Sequence, residues 1–250
     1  MKIADGVEML EISANLMTGP GIINPTLIWD EDEIVLVDSG LPRQVQEFSE
    51  AFSKAGVPFE RLSRIILTHS DTDHVGGLAS ILNASPQKIT ILAHEKEKPY
   101  IETEIPPIRM TQMEGQLETL PEERRQKMAE LCESLRANYK KLKANVDLTV
   151  EDGEELPYCG GITVVYTPGH TPGHICLYHK QSKTLIAGDA LSVEGGVLVH
   201  SPRFLCLDKE QYDSSLKKLT KFNIETVICY HGGLYRDNPN KCIAELAGIS

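Results

Sequence analysis

No stretch of this 250-residue chain approaches eighteen uninterrupted apolar residues, so no membrane-spanning helix is expected. Its first eleven residues hold no basic segment leading into an apolar run, so no secretory leader is expected either. Positive charge is short as well: 25 Lys and Arg stand against 36 Asp and Glu, a formal net charge of -11. Without a sequence-wide positive field there is little to hold a phosphate backbone, which disfavours general nucleic-acid binding. The six cysteines, Cys132, Cys159, Cys176, Cys206, Cys229 and Cys242, include no C-x-x-C pair, against a zinc ribbon or a thioredoxin-type redox site. Reduced thiols in a cytoplasmic protein are the expectation, with Cys176, Cys206 and Cys229 serving as small apolar side chains. Internal repeats and low-complexity segments are also missing, which leaves an ordinary globular composition long enough for one sizeable core.

What is present is an alternating texture. Short β-rich segments run over residues 7–12, 26–29 and 33–37, the last two flanking the acidic turn Asp30-Glu31-Asp32 as a hairpin. Beyond Asp38-Ser39-Gly40, the spacing of Val45, Phe48, Phe52 and Ala55 predicts a helix with Gly56 as its stop. Residues 64–68 form a compact apolar run, a helical stretch follows through Leu82, and residues 88–93 read as a strand. From Leu148 the β texture returns, with strands at 162–166, 175–178, 185–187 and 226–229 and one helix near 211–222. The alternation predicts an α/β sandwich rather than an all-β barrel. Residues 95–147 differ: charge-rich, with Pro99, Pro106 and Pro107 ahead of a polar helix starting near Pro121, they read as a helical insertion in a single domain spanning 1–250. Met128, Leu131, Leu135, Tyr139 and Leu142 give that helix a narrow apolar stripe, which docks it on the body or serves as a substrate lid or homodimer contact.

Several strand candidates run straight into a His or an Asp. Ile65-Ile66-Leu67-Thr68 leads into His69-Ser70-Asp71-Thr72-Asp73-His74, and Val164-Val165-Tyr166 leads into Thr167-Pro168-Gly169-His170. Leu185-Ile186-Ala187 leads into Gly188-Asp189, and Val227-Ile228-Cys229-Tyr230 into His231. If these strands are neighbours, their tips form one metal cup, because imidazole nitrogen and carboxylate oxygen are the donors of hydrolytic zinc, manganese and iron sites. The two-residue spacing puts His69 and Asp71 on one side of an extended loop and leaves Asp73 and His74 free to turn toward a second ion. Prolines and glycines through residues 167–174 fix a tight turn that aims His170. A lone His beside a strand is more often a hydrogen-bonded structural residue, the expectation for His94, His179 and His200. His174 is read the same way, with a place behind the site as its alternative, and Asp38 is expected to order the turn beneath the metals.

Read in order, the D-S-G after an early strand, T-H-x-x-x-D-H-x-G-G at 68–77, T-P-G-H-T-P-G-H, G-D-A at 188–190 and the final His231-Gly232-Gly233 resemble the metallo-β-lactamase superfamily. The likeness spans nearly the whole chain and points to its glyoxalase II-like and lactonase-like hydrolase branch. It implies an αββα sandwich with the metal cup at one edge of two facing sheets. Carried onto this sequence, it makes His69 and His170 ligands of a first ion, Asp73, His74 and His231 ligands of a second, and Asp189 the bridging carboxylate. Two divalent ions are implied, zinc foremost, with manganese or iron as alternatives. Asp71 is the departure, standing where the pattern H-x-H-x-D-H has its second His. A carboxylate is still a competent ligand, but its short reach and charge harden the site toward manganese or iron, or weaken the first ion's hold. The other reading places Asp71 behind the ligands.

The resemblance also implies the chemistry. A hydroxide held between two cations has its pKa lowered to about neutrality while the metals polarise the scissile carbonyl. Asp73 is the expected catalytic residue, orienting that hydroxide, and Tyr166, Tyr230, Tyr235 or a metal-held water would protonate the leaving group. The expected function is a metal-dependent hydrolase cleaving an ester, thioester, lactone or amide bond of a small substrate. The alternatives are an iron-dependent oxygenase or redox protein on the same fold, and a binding protein with a disabled site. Pocket walls are expected from residues 16–23 and from Ile105, Ile108, Met110 and Met113, an apolar lining suited to an acyl chain.

Overall fold

The computed structural model describes residues 1–16 and 19–249. The chain opens with β1 (Lys2–Ala4) and β2 (Val7–Met9), a separate hairpin of β3 (Ile12–Leu16) and β4 (Gly19–Ile23), then β5 (Thr26–Trp29) and β6 (Ile34–Val37). Helix α1 (Val45–Ala55), strand β7 (Arg64–Ile66), the short helices α2 (Thr72–Val75) and α3 (Leu78–Ala84), and strand β8 (Thr90–His94) continue it. Helices α4 (Lys98–Ile101), α5 (Ile108–Gln116) and α6 (Glu122–Asn138) precede β9 (Leu148–Val150). Then come β10 (Glu155–Leu156), β11 (Ile162–Tyr166), β12 (Ile175–His179), β13 (Thr184–Ile186) and a hairpin of β14 (Leu191–Glu194) with β15 (Val197–His200). Helix α7 (Lys209–Leu219), β16 (Thr226–Cys229), β17 (Gly233–Tyr235) and α8 (Pro239–Leu246) close the fold.

Two mixed sheets carry the architecture, one ordered β1-β2-β5-β6-β7-β8-β9 and the other β10-β11-β12-β13-β16-β17. Their central strands are apolar on both faces because each side is covered, and the period of two sends successive side chains to different layers. Leu36, Ile65 and Ile91 point into the layer shared with Phe48 and Phe52 of α1 and Leu78 and Ile81 of α3. Val35, Val37, Ile66 and Leu92 point the other way, against Val164, Leu177, Ile186 and Ile228 of the second sheet. Val165, Leu185, Val227 and Cys229 then face Tyr212, Leu216 and Leu219 of α7 and Ile243 of α8. The result is the expected αββα sandwich, with apolar layers on both sides of each sheet.

Local signals account for most elements. The α1 stop is as read: Gly56 takes φ 73, and its N–H reaches the Phe52 and Ser53 carbonyls. Asp208 caps α7 by accepting from the Gln211 N–H, so that helix starts and ends earlier than the apolar spacing implies. Residues 7–12 are not one strand, because β2 ends at Met9 and Ile12 opens the β3 hairpin. The β14–β15 hairpin, β17 and α8 had no counterpart in the sequence reading. The apolar stripe of α6 and the turn after it holds at Met128, Leu135, Tyr139 and Leu142, which are part-buried, but Leu131 is 43% exposed and Cys132, buried at 3%, takes its place. No helix among the described residues is long and apolar enough to cross a membrane.

Candidate metal centre

Strands β13 and β16 are parallel neighbours, and β11 runs in the same direction because two antiparallel steps through β12 separate it from β13. Strand β7 lies in the other sheet, parallel to β6 and β8. The four carrier strands are thus shared between two facing sheets that end at a common edge, as the family resemblance implies, and the residues beyond their tips meet there. His69, His170 and Asp189 offer donor atoms within 4.8 Å of one another, and so do Asp73, His74 and His231. Asp189 sits between the groups, with Oδ2 3.3 Å from His170 Nε2 and 4.0 Å from His69 Nε2. Its Oδ1 lies 3.4 Å from His74 Nε2 and 3.5 Å from His231 Nε2. Asp73 Oδ2 is 3.2 Å from His231 Nε2 and 3.9 Å from His74 Nε2.

A layer of fixed partners aims these groups. Asp38, at φ 63, accepts from the Thr68 N–H and hydroxyl at 2.8 Å each and lies 2.8 Å from His74 Nδ1, which leaves His74 Nε2 facing the site. His74 is further gripped by the Tyr230 ring at 3.8 Å, whose hydroxyl donates to the Asp73 carbonyl. His174 is fully buried behind the site, its Nε2 accepting the Asp189 backbone N–H at 3.0 Å. Glu97, also fully buried, joins two loops: one oxygen accepts the Ser70 N–H at 2.9 Å and the other accepts the Thr171 hydroxyl at 2.7 Å and the Gly173 N–H at 2.6 Å. Gly169 is required beside His170, since it takes φ 130 and a Cβ there would stand 2.3 Å from the Tyr212 backbone nitrogen.

Crowding of charge sets the ionisation. Burial disfavours the Asp189 carboxylate, but His231 and His74 outweigh it and hold its pKa well below the usual range. Burial likewise opposes a charged His74, yet Asp38 and Asp189 hold its pKa well above normal. His170 goes down, driven by burial. Buried polar atoms without partners mark where a cation fits: among the described residues, His74 Nε2 and Asp189 Oδ1 at the second position have no hydrogen bond, nor does His69 Nε2 at the first. With Asp73 and His231, the pair at the second position forms an oxygen and nitrogen donor set suited to a divalent ion.

The first position is different. Asp71 does lie there, its Oδ2 3.2 Å from His170 Nε2 and 3.4 Å from His69 Nε2, but it also meets a guanidinium. Arg109 of α5 places Nε 2.8 Å and Nη2 2.6 Å from that oxygen, and Nη2 2.7 Å from His170 Nε2. Its Nη1 donates to Gln112 Oε1 at 2.8 Å and to the Leu205 carbonyl. The guanidinium thus makes four hydrogen bonds, one from Nε, two from Nη1 and one from Nη2, besides its ion pair with Asp71. A dication there would have to displace the guanidinium from Asp71 and His170 before it could reach their donor atoms. The residues present thus fit an ion at the Asp73, His74 and His231 position and do not fit one at the His69 and His170 position.

Sequence reasoning missed Arg109 and Glu97, both on the segment between β8 and β9. Neither lies in a recognisable pattern, and a charge beside a proline-rich stretch reads as solvated. His94 stacks on Tyr166 at 4.3 Å, His179 lies 2.6 Å from the Cys159 carbonyl and from Ser182 Oγ, and His200 bonds the Leu246 carbonyl, all away from the donor groups. Tyr166 donates to the Pro172 carbonyl and Tyr235 meets Cys242, so neither is aimed at the site. Ile108 and Met110, proposed as pocket walls, are instead buried in packing. Ile105 and Ile22 are exposed, whereas Met17 and Thr18 of the other proposed wall lie outside the described residues.

Comparison with known proteins gives concordant results. The family model described as the metallo-beta-lactamase superfamily matches residues 18–231. The chain is 30% identical over 212 residues to the probable metallo-hydrolase YflN of Bacillus subtilis, covering 79% of this chain and 75% of that protein. It is 31% identical over 205 residues to a hydroxyacylglutathione hydrolase of Idiomarina loihiensis, covering 81% of this chain but 57% of that one. Among solved structures, the metallo-beta-lactamase family protein TTHA1429 from Thermus thermophilus superposes with a TM-score of 0.73 at 21% identity, over 99% of this chain and 80% of its own.

Proposed function

Because the chain belongs to the metallo-beta-lactamase superfamily, we propose that it is a cytoplasmic metal-dependent hydrolase that cleaves an ester, thioester, lactone or amide bond of a small substrate. The observation that carries this reading is the convergence of Asp73, His74, Asp189 and His231 at one sheet edge, with His74 Nε2 and Asp189 Oδ1 buried and unpartnered. Those four side chains would hold a divalent ion. Such an ion supplies Lewis acidity, polarising a scissile carbonyl and lowering the pKa of water to about neutrality. Asp73 presents a carboxylate oxygen at the open side of the group, where it orients the attacking water and accepts its proton. Asp38 and Tyr230 keep the His74 ring from rotating, and His174 fixes Asp189 through its backbone.

The test is turnover of a panel of ester, thioester, lactone and β-lactam substrates by protein purified without chelator and supplied with zinc or manganese. Hydrolysis that is lost in His231→Ala and in Asp189→Asn supports the reading. A panel without turnover, or iron-dependent oxygen consumption in its place, overturns it.

A further inference from the structure

We propose that Arg109 takes the place of the first metal ion, so that each chain binds a single divalent ion, held by Asp73, His74, His231 and Asp189. This rests on the metal-dependent reading above and narrows it.

The donor inventory argues for it. Four side chains face the first position: His69, Asp71, His170 and Asp189. The guanidinium engages two of them, Asp71 Oδ2 at 2.6 Å and His170 Nε2 at 2.7 Å. A guanidinium has no acceptor, so the short contact to His170 requires its Nε2 to be unprotonated and its lone pair to point at Arg109. That lone pair is the one a metal would take. His69 and Asp189 remain, fewer than the three protein ligands a catalytic zinc keeps. At the second position the picture reverses, since the ion-pair partners of Asp73 and Asp189 are all histidines.

The arginine is also built in. Four of its N–H groups have acceptors, contributed by Asp71, His170, Gln112 and Leu205, which belong to four separate stretches of chain. Arg109 itself lies in the first turn of α5, between the buried side chains of Ile108 and Met110, which anchor the helix. An aspartate at position 71 fits this arrangement better than a histidine would, because an anion neutralises the guanidinium and accepts the Nε N–H. Asp71 and Arg109 are thus one unit that substitutes a fixed positive charge for a bound one.

The ion count tests this without reference to turnover. Protein saturated with zinc, desalted, and measured by elemental analysis and native mass spectrometry is expected to hold one ion per chain. His231→Ala is expected to lose that ion, and His69→Ala to retain it. The double variant Asp71→His with Arg109→Ala, checked by circular dichroism for native content, is expected to take up two. Two ions in the unaltered protein, or loss of the ion in His69→Ala with retention in His231→Ala, would overturn the proposal. A silent substrate panel at one ion per chain would instead count against the hydrolase reading and leave this one standing.

Discussion

Single side chains decide how rigid this site is. Glu97 accepts three hydrogen bonds while fully buried, and Glu97→Gln would turn an amide N–H toward the Ser70 N–H, leaving two donors face to face. The expected cost is about 1–3 kcal/mol, read as a lower urea midpoint, together with weaker zinc binding because both ligand loops loosen. His179 gives a pH signature away from the metal. Burial lowers its pKa, so the folded state prefers the neutral ring. The stability it contributes is present above the unfolded value of about 6.5 and is lost as pH falls below it toward the depressed folded value. Urea midpoints measured from pH 7.5 to 5.0 should therefore fall less steeply in His179→Gln than in the parent chain.

At the level of helices and strands, the register of α6 offers a direct check. Leu131→Lys, on the exposed side, should change stability by no more than about 0.5 kcal/mol, whereas Cys132→Lys would bury a charge and unfold the insertion at much lower denaturant. Thermal melts of the two variants separate these outcomes. The main strands and α1 could be read from the sequence because their apolar spacing and the Gly56 stop are local signals. The candidate metal ligands could be read because the short segments that carry them follow directly on apolar strands. One member of the α6 stripe, Leu131, is exposed and Cys132 buried in its place because the helix is polar nearly all round, so little in its pattern separates the two. Arg109 and Glu97 were invisible for a different reason: their partners lie 38 and 27 residues back along the chain, and only tertiary packing brings them together.

Taken as a whole, the molecule gathers anionic groups at one edge, with Asp38, Asp71, Asp73 and Asp189 all buried or nearly so within a chain of net charge -11. Their mutual repulsion is relieved by histidines and by Arg109, and a cation held as proposed would relieve it further. An ion that binds only the native state at a hundredfold excess over its dissociation constant contributes about 2.7 kcal/mol. For a chain of this length that corresponds to a melting temperature higher by about 5–10 °C. Scanning calorimetry before and after stripping with a chelator should show this loss, and readdition of zinc or manganese should restore it.

The bond between Asp71 and Arg109 also constrains how this sequence can change. Its side chains are 10% and 18% exposed, so replacing Asp71 alone strands the guanidinium without a carboxylate, at a cost of about 3–5 kcal/mol in such surroundings. A change to histidine at position 71 must therefore pass through a poorly folded intermediate unless position 109 changes with it. The two positions form an evolutionary ratchet: descendants of this chain are expected to inherit both residues or neither.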